Sequence, residues 1–481
     1  MPITLERELL TPSAPLVAPG ILKLSEIMAA LSAALDLTEG QPAGHAVRSA
    51  LIGMRIAEQI QLSPADRSAL FYALLLKDLG CSSNAAKMAW LFGADDQQVK
   101  RNIKTVNWAK ITTRLQFAYR NVAPGAGMVQ KVLRLAAMAR EGERGAAKLV
   151  ETRCERGAEI SRQFELPEAT AVAIRSLDEQ WDGSGQPSRQ KGEEIPLLSR
   201  ILNLAQTMEV FYAMKGINAA FAVAKERSGT RFDPTLVEAL WATRGDDEFW
   251  SMLGSDNAER RLMSYEPSDL IAVANPDRLD RIAEGFASVV DAKSPWTYKH
   301  STGVAKIAVG IAGVLGFDAD ECRDIRRAGL LHDIGKLGVS NLILDKPGKP
   351  TEAEFAEIRK HPDYSLRILA RMPAFANLAH VAAAHHERLD GRGYHRQIPG
   401  DTMPFVARIL AVADVYEALT AARPYRDGLS REKAFEIMRK DVGQGLCPDC
   451  VNALEKWLDN TSFESRVTAQ LDEIDRLVST L

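Results

Sequence analysis

The chain has 481 residues, 46% of them apolar and 26% charged, with a formal net charge of −3 and a pI near 6.3. That length holds two or three domains with cores of their own, and the near-neutral balance without a Lys/Arg tract excludes a basic nucleic-acid binder. No apolar run approaches the ~18 residues that span a bilayer, the start MPITLERELL has no signal-peptide core, and five cysteines make no disulfide framework, so a cytoplasmic protein with reduced thiols is expected.

Apolar residues recur at steps of three and four through nearly the whole chain, and no convincing alternating strand pattern appears. The first helical stretch opens at His45 (HAVRSALIGMRIA) and leads to LLLKDLGCSSN. An insertion follows, roughly residues 95–145. Gly/Pro/Asp clusters at 182–187, 347–350 and 390–400 read as loops. The polar, irregular stretch 255–275 marks a boundary, and beyond it the same series of elements returns. HSTGVAKIAVGIA opens at His300, GLLHDIGKLGVSN follows, and the step from His45 to Lys77 equals that from His300 to His332, 32 residues in each. DEQWDGSGQP (178–187) pairs with HERLDGRGYH (386–395), RILNLAQT (200–207) with RILAVADV (408–415), and FDPTLVEAL (232–240) with LCPDCVNAL (446–454). The final VTAQLDEIDRLVSTL reads as an amphipathic helix that packs on the second domain or on a partner chain. The pattern predicts an all-α protein of two tandem helical domains, residues 1–265 and 275–465, with a C-terminal tail at 466–481.

Histidine placement is the informative count. Of eight histidines only His45 precedes residue 300, and the other seven fall between His300 and His395. Clustered histidines are a metal-site signal. Singly, each candidate has an ordinary reading. His300 lies on an apolar stripe with Val304, Ile307 and Ile311, as a core histidine would. His332-Asp333 suits a helix end, His385-His386 a surface pair, and His361 a loop–helix junction. Asp414 is harder to read so, because ILAVADVYEAL is apolar on most sides and a buried carboxylate is costly unless paired or coordinated. Together, five His and two Asp from five segments give a mixed N/O set that suits Fe, Mn, Co or Ni better than a thiolate-rich structural zinc site. Two metals ~3.5–4 Å apart activate water and clamp a phosphoryl oxygen, and Lys336 is placed to neutralise phosphate charge. Cys447-Pro448-Asp449-Cys450 is a CxxC with no second pair, and its repeat counterparts are Asp233 and Leu236, so it reads as packing.

His300, HDIGK (332–336), HP (361–362), HHERLDGRGY (385–394) and DVYEALTAARPYR (414–426) resemble the HD-GYP family of HD metal-dependent phosphohydrolases. The resemblance is strong over about 280–460 and weak over 20–250. It implies two tandem HD-type helical domains, the second with an intact metal site. It implies hydrolysis of cyclic di-GMP to pGpG and/or GMP, with His300, His332, Asp333, His361, His385, His386 and Asp414 as ligands and Asp333 as the bridging, catalytic carboxylate. Lys336, Tyr394, Arg423 and Arg426 match family positions near the substrate. Two departures stand out. The GYP triplet is Gly393-Tyr394-His395, and where proline would stiffen the loop the expected effects of His395 are a looser loop, altered partner contacts or, last, a stray ligand. Trp296 stands where three-metal members carry Glu, so two divalent metals are expected, Fe or Mn first, with Co, Ni or Zn as alternatives. In the first copy Lys77, Arg153, Leu177, Asp178 and Gln206 replace ligands and only His45 and Asp78 remain, implying a metal-free regulatory or dimerising domain, through which a homodimer or a signalling partner would form. Alternatives of other classes are a catalytically weak nucleotide- or protein-binding adaptor and a hydrolase for another cyclic dinucleotide.

Overall fold

The computed structural model describes residues 24–107, 110–255, 257–266, 275–297, 299–422 and 427–461. Among them every regular element is helical, and the only ladder contacts are two isolated bridges, Ser228 with Phe232 and Val442 with Leu446. The all-α expectation holds. None of these helices is long and apolar enough to cross a membrane. The boundary stretch 267–274, the tail 466–481, Arg423 and Arg426 lie outside the described residues.

The chain folds as two compact units, and each takes residues from two separate stretches. The smaller unit takes 299–333 and the described residues from 377 onward; the larger takes the described residues before 298, then 334–376. Long-range aromatic packing explains the make-up of the larger unit. Phe286, on the helix Pro276–Asp291, sits edge-on to Phe164 at 5.7 Å and to Phe375 at 6.4 Å. Phe164, Phe286 and Phe375 are fully buried, each worth about 1.5–3 kcal/mol of apolar burial. The Asn341 amide donates to Asp96 Oδ1 at 2.8 Å and Gln97 Nε2 donates to the Leu337 carbonyl at 3.3 Å, fastening 334–376 to the insertion.

In the smaller unit the core lies between the helices His300–Val314, Ala319–Leu331 and Phe405–Thr420, with Val304, Ile311, Ala328, Ile409 and Val412 interleaved. Ala319–Leu331 starts at a capping box, Asp318 accepting from the Glu321 amide while Glu321 accepts from that of Asp318. Cys447 and Cys450 are free thiols buried in this same core.

Candidate metal centre

Three helix ends and one helix interior bring the ligand candidates of the smaller unit together. His300 opens its helix, His332 caps the end of Ala319–Leu331 with Asp333 next in the chain, and Asp414 sits three residues before Glu417 on Phe405–Thr420. His300 Nε2 lies 3.4 Å from Asp333 Oδ2 and 3.3 Å from Asp414 Oδ1. His332 Nε2 is 3.3 Å from Asp333 Oδ2, and His385 Nε2 is 3.7 Å from Asp333 Oδ1. His386 Nδ1 is 4.0 Å from Asp414 Oδ2. Two overlapping groups, His300-His332-Asp333 and His332-His385-Asp414, each hold their donor atoms within 4.8 Å of one another. Tyr394 stacks on the His386 ring at 4.6 Å.

The rings are oriented before any ion arrives. Nδ1 of His332 donates to the Gly329 carbonyl at 2.7 Å, and Nδ1 of His385 donates to the Ala382 carbonyl. His361, in the larger unit, is buried at the start of the helix His361–Ala370, and its Nδ1 donates to the Ile358 carbonyl at 2.7 Å. His300 Nδ1 is held by the Glu417 carboxylate. Giving Nδ1–H to a backbone carbonyl turns the Nε2 lone pair of His332, His361 and His385 outward, the tautomer a metal requires. Glu417 is a residue the sequence did not single out. It reaches His300 because residue 303 is glycine: a Cβ there would stand 2.8 Å from Glu417 Cγ.

Charge makes the same case. Burial works against an imidazolium at His300, yet hydrogen bonding to Asp333, Asp414 and Glu417 holds its pKa well above the ordinary value. Asp414, despite burial, is held far below the carboxylate range by His300, His386 and His332. A buried, carboxylate-rich pocket ringed by imidazoles calls for cations, and divalent metals fit that donor set.

The corresponding residues of the first half, all in the larger unit, satisfy the same demand from within. His45 bonds Glu209, which also takes a fork from Arg48 at 2.6–2.7 Å, an arrangement like His300 with Glu417. Lys77 pairs with Asp78 and Arg153 with Asp178. Lys104 Nζ lies 2.9 Å from Glu39 and 3.6 Å from Asp78. Glu39, Asp78 and Cys81 form a ligand-like group, with a lysine already against it. Burial and Lys77 bring His45 down to a pKa of about 4, opposite in sign to His300.

His395, at the GYP position, adopts φ 96°, which a proline ring cannot take. Its loop is not loose. The buried Glu387 carboxylate accepts from the amides of Arg396, Gln397 and Ile398 at 2.7, 3.1 and 3.3 Å. Glu179 does the same for Ser188 and Gln190 in the first half, at 2.6 and 3.1 Å.

Glu417 gives the first expected result. Glu417→Ala frees the His300 ring to turn and should weaken metal retention by about 10–100-fold, measured by dialysis against graded chelator. Retention equal to wild type would mean that the carboxylate does not orient the ligand.

Comparison with known proteins agrees with this geometry. The HD domain family profile matches residues 130–236 and 285–447. The chain is 42% identical over 444 residues to the 3′3′-cGAMP-specific phosphodiesterase 3 of Vibrio cholerae, covering 92% of this chain and 96% of that one. It is 32% identical over 203 residues to the cyclic di-GMP phosphodiesterase response regulator RpfG of Xanthomonas campestris, covering 42% of this chain and 54% of that one. The crystal structure of a cyclic GMP-AMP specific phosphodiesterase from V. cholerae is 38% identical and superposes with a TM-score of 0.62, covering 91% of this chain and 98% of that one. The chain therefore belongs to the HD domain family, as a cyclic dinucleotide phosphodiesterase of the HD-GYP type.

Proposed function

We propose that the protein hydrolyses 3′3′-cGAMP, opening a 3′–5′ phosphodiester to give a linear dinucleotide. The observation that carries this reading is the similarity to a cGAMP-specific enzyme along 92% of the chain. Hydrolysis of cyclic di-GMP to pGpG or GMP is the second reading, favoured by relatives of that name that match 42% of the chain. Presenting both nucleotides to one metal-loaded preparation separates the two. A kcat/KM at least about tenfold higher for 3′3′-cGAMP is expected, roughly the discrimination one buried hydrogen bond to a base edge gives. Reversed values would assign the chain to cyclic di-GMP, and equal values would make it an enzyme of both.

In this reading His300, His332, Asp333, His385, His386 and Asp414 of the smaller unit would hold two divalent metals, and His361 joins the ligand set on its motif position alone. The metals supply Lewis acidity to the phosphoryl group and to the attacking water. The oriented Nε2 atoms would hold the ions, and Asp333, with Oδ2 facing His300 and His332 and Oδ1 facing His385, would be a ligand shared between them. Tyr394, stacked on His386, offers an aromatic face beside the site for a base. Lys336, Arg423 and Arg426 contribute cations for the phosphates on the strength of their motif positions. Trp296, half-buried after Ser294, brings no carboxylate for a third ion. The cation-filled cluster of the first half binds no metal and makes that half a regulatory scaffold.

Elemental analysis of the full chain, loaded anaerobically, should give two metals per chain. Three would overturn the role of Trp296. Metal persisting in Asp333→Ala at wild-type stoichiometry would place ions outside the proposed cluster. The full chain is the right object, because a cut near residue 270 would divide the larger unit.

A further inference from the structure

In the second half Arg388 fastens the loop after His386. Its guanidinium donates to both Asp441 oxygens at 2.8 and 2.7 Å and also to Asp390. In the repeat alignment Gln180 takes the place of Arg388, while Arg227 and Arg231 take those of Asp441 and Gly445. The acid of the ion pair has become an arginine and the arginine an amide. Position 445 has no room for a side chain in the second half, where a Cβ would stand 2.2 Å from Asp441 Oδ2 and 2.5 Å from Arg388 Nη1. With Arg388 gone, that space in the first half opens as a cavity of about 210 Å³, whose lining includes Asn107, Arg114, Ser184, Arg227, Thr230 and Arg231.

Arg227 is 5% exposed. Its Nη2 donates to the Thr105 carbonyl at 3.3 Å, and its buried Nε has no hydrogen-bond partner among the described residues. Arg231 donates through Nε to Asn203 Oδ1 at 3.0 Å. Neither arginine has a carboxylate within ion-pairing distance among the described residues, unlike Arg48, Arg153 and Arg200 of the same unit. Asp182, also on the wall, spends Oδ1 on the Ser184 amide and hydroxyl. Burial, and then the charge of Arg227, push the Arg231 guanidinium down to about 9. A guanidinium stays protonated at neutral pH. Arg227, buried, lies over the Phe211 ring at 5.4 Å and Arg231, half-buried, over the Phe232 ring at 5.7 Å, so each cation has an aromatic face while an anion for the pair has to come from outside the described residues.

We propose that this cavity binds a phosphate group, held by the guanidinium forks of Arg227 and Arg231 with Asn107, Ser184 and Thr230 as neutral partners. Planar forks match tetrahedral oxyanions in two-point contacts. The phosphate is either free inorganic phosphate or the 5′-phosphate of a linear dinucleotide, the chemistry that cyclic dinucleotide hydrolysis releases.

The test is calorimetric titration of the metal-free full chain carrying Asp333→Ala, so that the catalytic cluster takes no part. One arm uses inorganic phosphate, the other pGpG. Saturable binding of at least one probe is expected, weakened about tenfold or more by Arg227→Gln with Arg231→Gln. Binding of inorganic phosphate identifies free phosphate as sufficient; binding of pGpG alone identifies the dinucleotide. Arg227 is buried and its loss endangers folding, so Thr230→Glu serves as the second variant. Thr230 is exposed, and a carboxylate there pairs with the arginines, abolishing binding while the melting temperature holds or rises. The proposal fails if neither probe binds up to about 10 mM, or if binding survives Thr230→Glu unchanged.

Discussion

Asp333→Ala should abolish turnover of either cyclic dinucleotide while the chain stays folded. The carboxylate is 1% exposed and faces three histidines, with Nε2 of His300, His332 and His385 at 3.3–3.7 Å from its oxygens. In the proposed site it is the one group that spans both metal positions. Its removal should cost at least the ~10²–10⁴-fold of a positioned catalytic group, and more when an ion leaves with it. The fold should survive because the core of the smaller unit is built from Val304, Ile311, Ile409, Val412 and their neighbours and does not include Asp333. Product release by chromatography, metal content and helical circular dichroism on one preparation are the measurements. A folded Asp333→Ala chain within tenfold of wild-type kcat would put the chemistry elsewhere.

The largest stability effect should come from the half without ligands. Glu209 is fully buried and holds both His45 and the fork of Arg48. Breaking a buried charge pair by deleting one partner costs about 3–5 kcal/mol. Arg48 keeps some solvent access, at 15% side-chain exposure, which sets the expectation for Glu209→Ala at the lower end of that range. The first thermal transition should therefore fall by several degrees. At temperatures where the variant is folded, its metal content and kcat should match wild type. Metal loss on Glu209→Ala would mean that the first half carries an ion after all.

The proposed ligand set could be read from the sequence because metal chemistry restricts residue type. His332-Asp333, His385-His386 and a carboxylate at Asp414 inside an apolar helix have no cheaper explanation once taken together. Glu417 was not legible. In a helix a glutamate three residues past Asp414 is ordinary solvent-facing composition, and its partner His300 lies 117 residues away in sequence. A signal did exist: Glu209 occupies the same repeat position and is kept in a half where Asp414 has become Gln206. What holds the loop at His395 could not be read from the sequence, for a local reason. Proline rigidity is one way to fix a turn; three amides on one buried glutamate are another, and only coordinates reveal them. The make-up of the two units was also out of reach, since it depends on Phe164, Phe286 and Phe375 meeting across more than two hundred residues. No periodicity within a helix reports that.

The alternation of stretches between the two units has a consequence for how the protein is made. A ribosome delivers His300, His332 and Asp333 first, then the stretch 334–376 that belongs to the larger unit, and only afterwards His385, His386, Asp414 and Glu417. At ~5–20 residues per second the interval from Asp333 to Glu417 lasts on the order of ten seconds. When the interval opens the nascent chain carries only His300, His332 and Asp333 of the proposed set, and His300 lacks the Glu417 carboxylate until the interval closes, after the larger unit has received its last segment. With the proposed ligand set, metal insertion would be a late event of biosynthesis, set by the emergence of one helix, Phe405–Thr420.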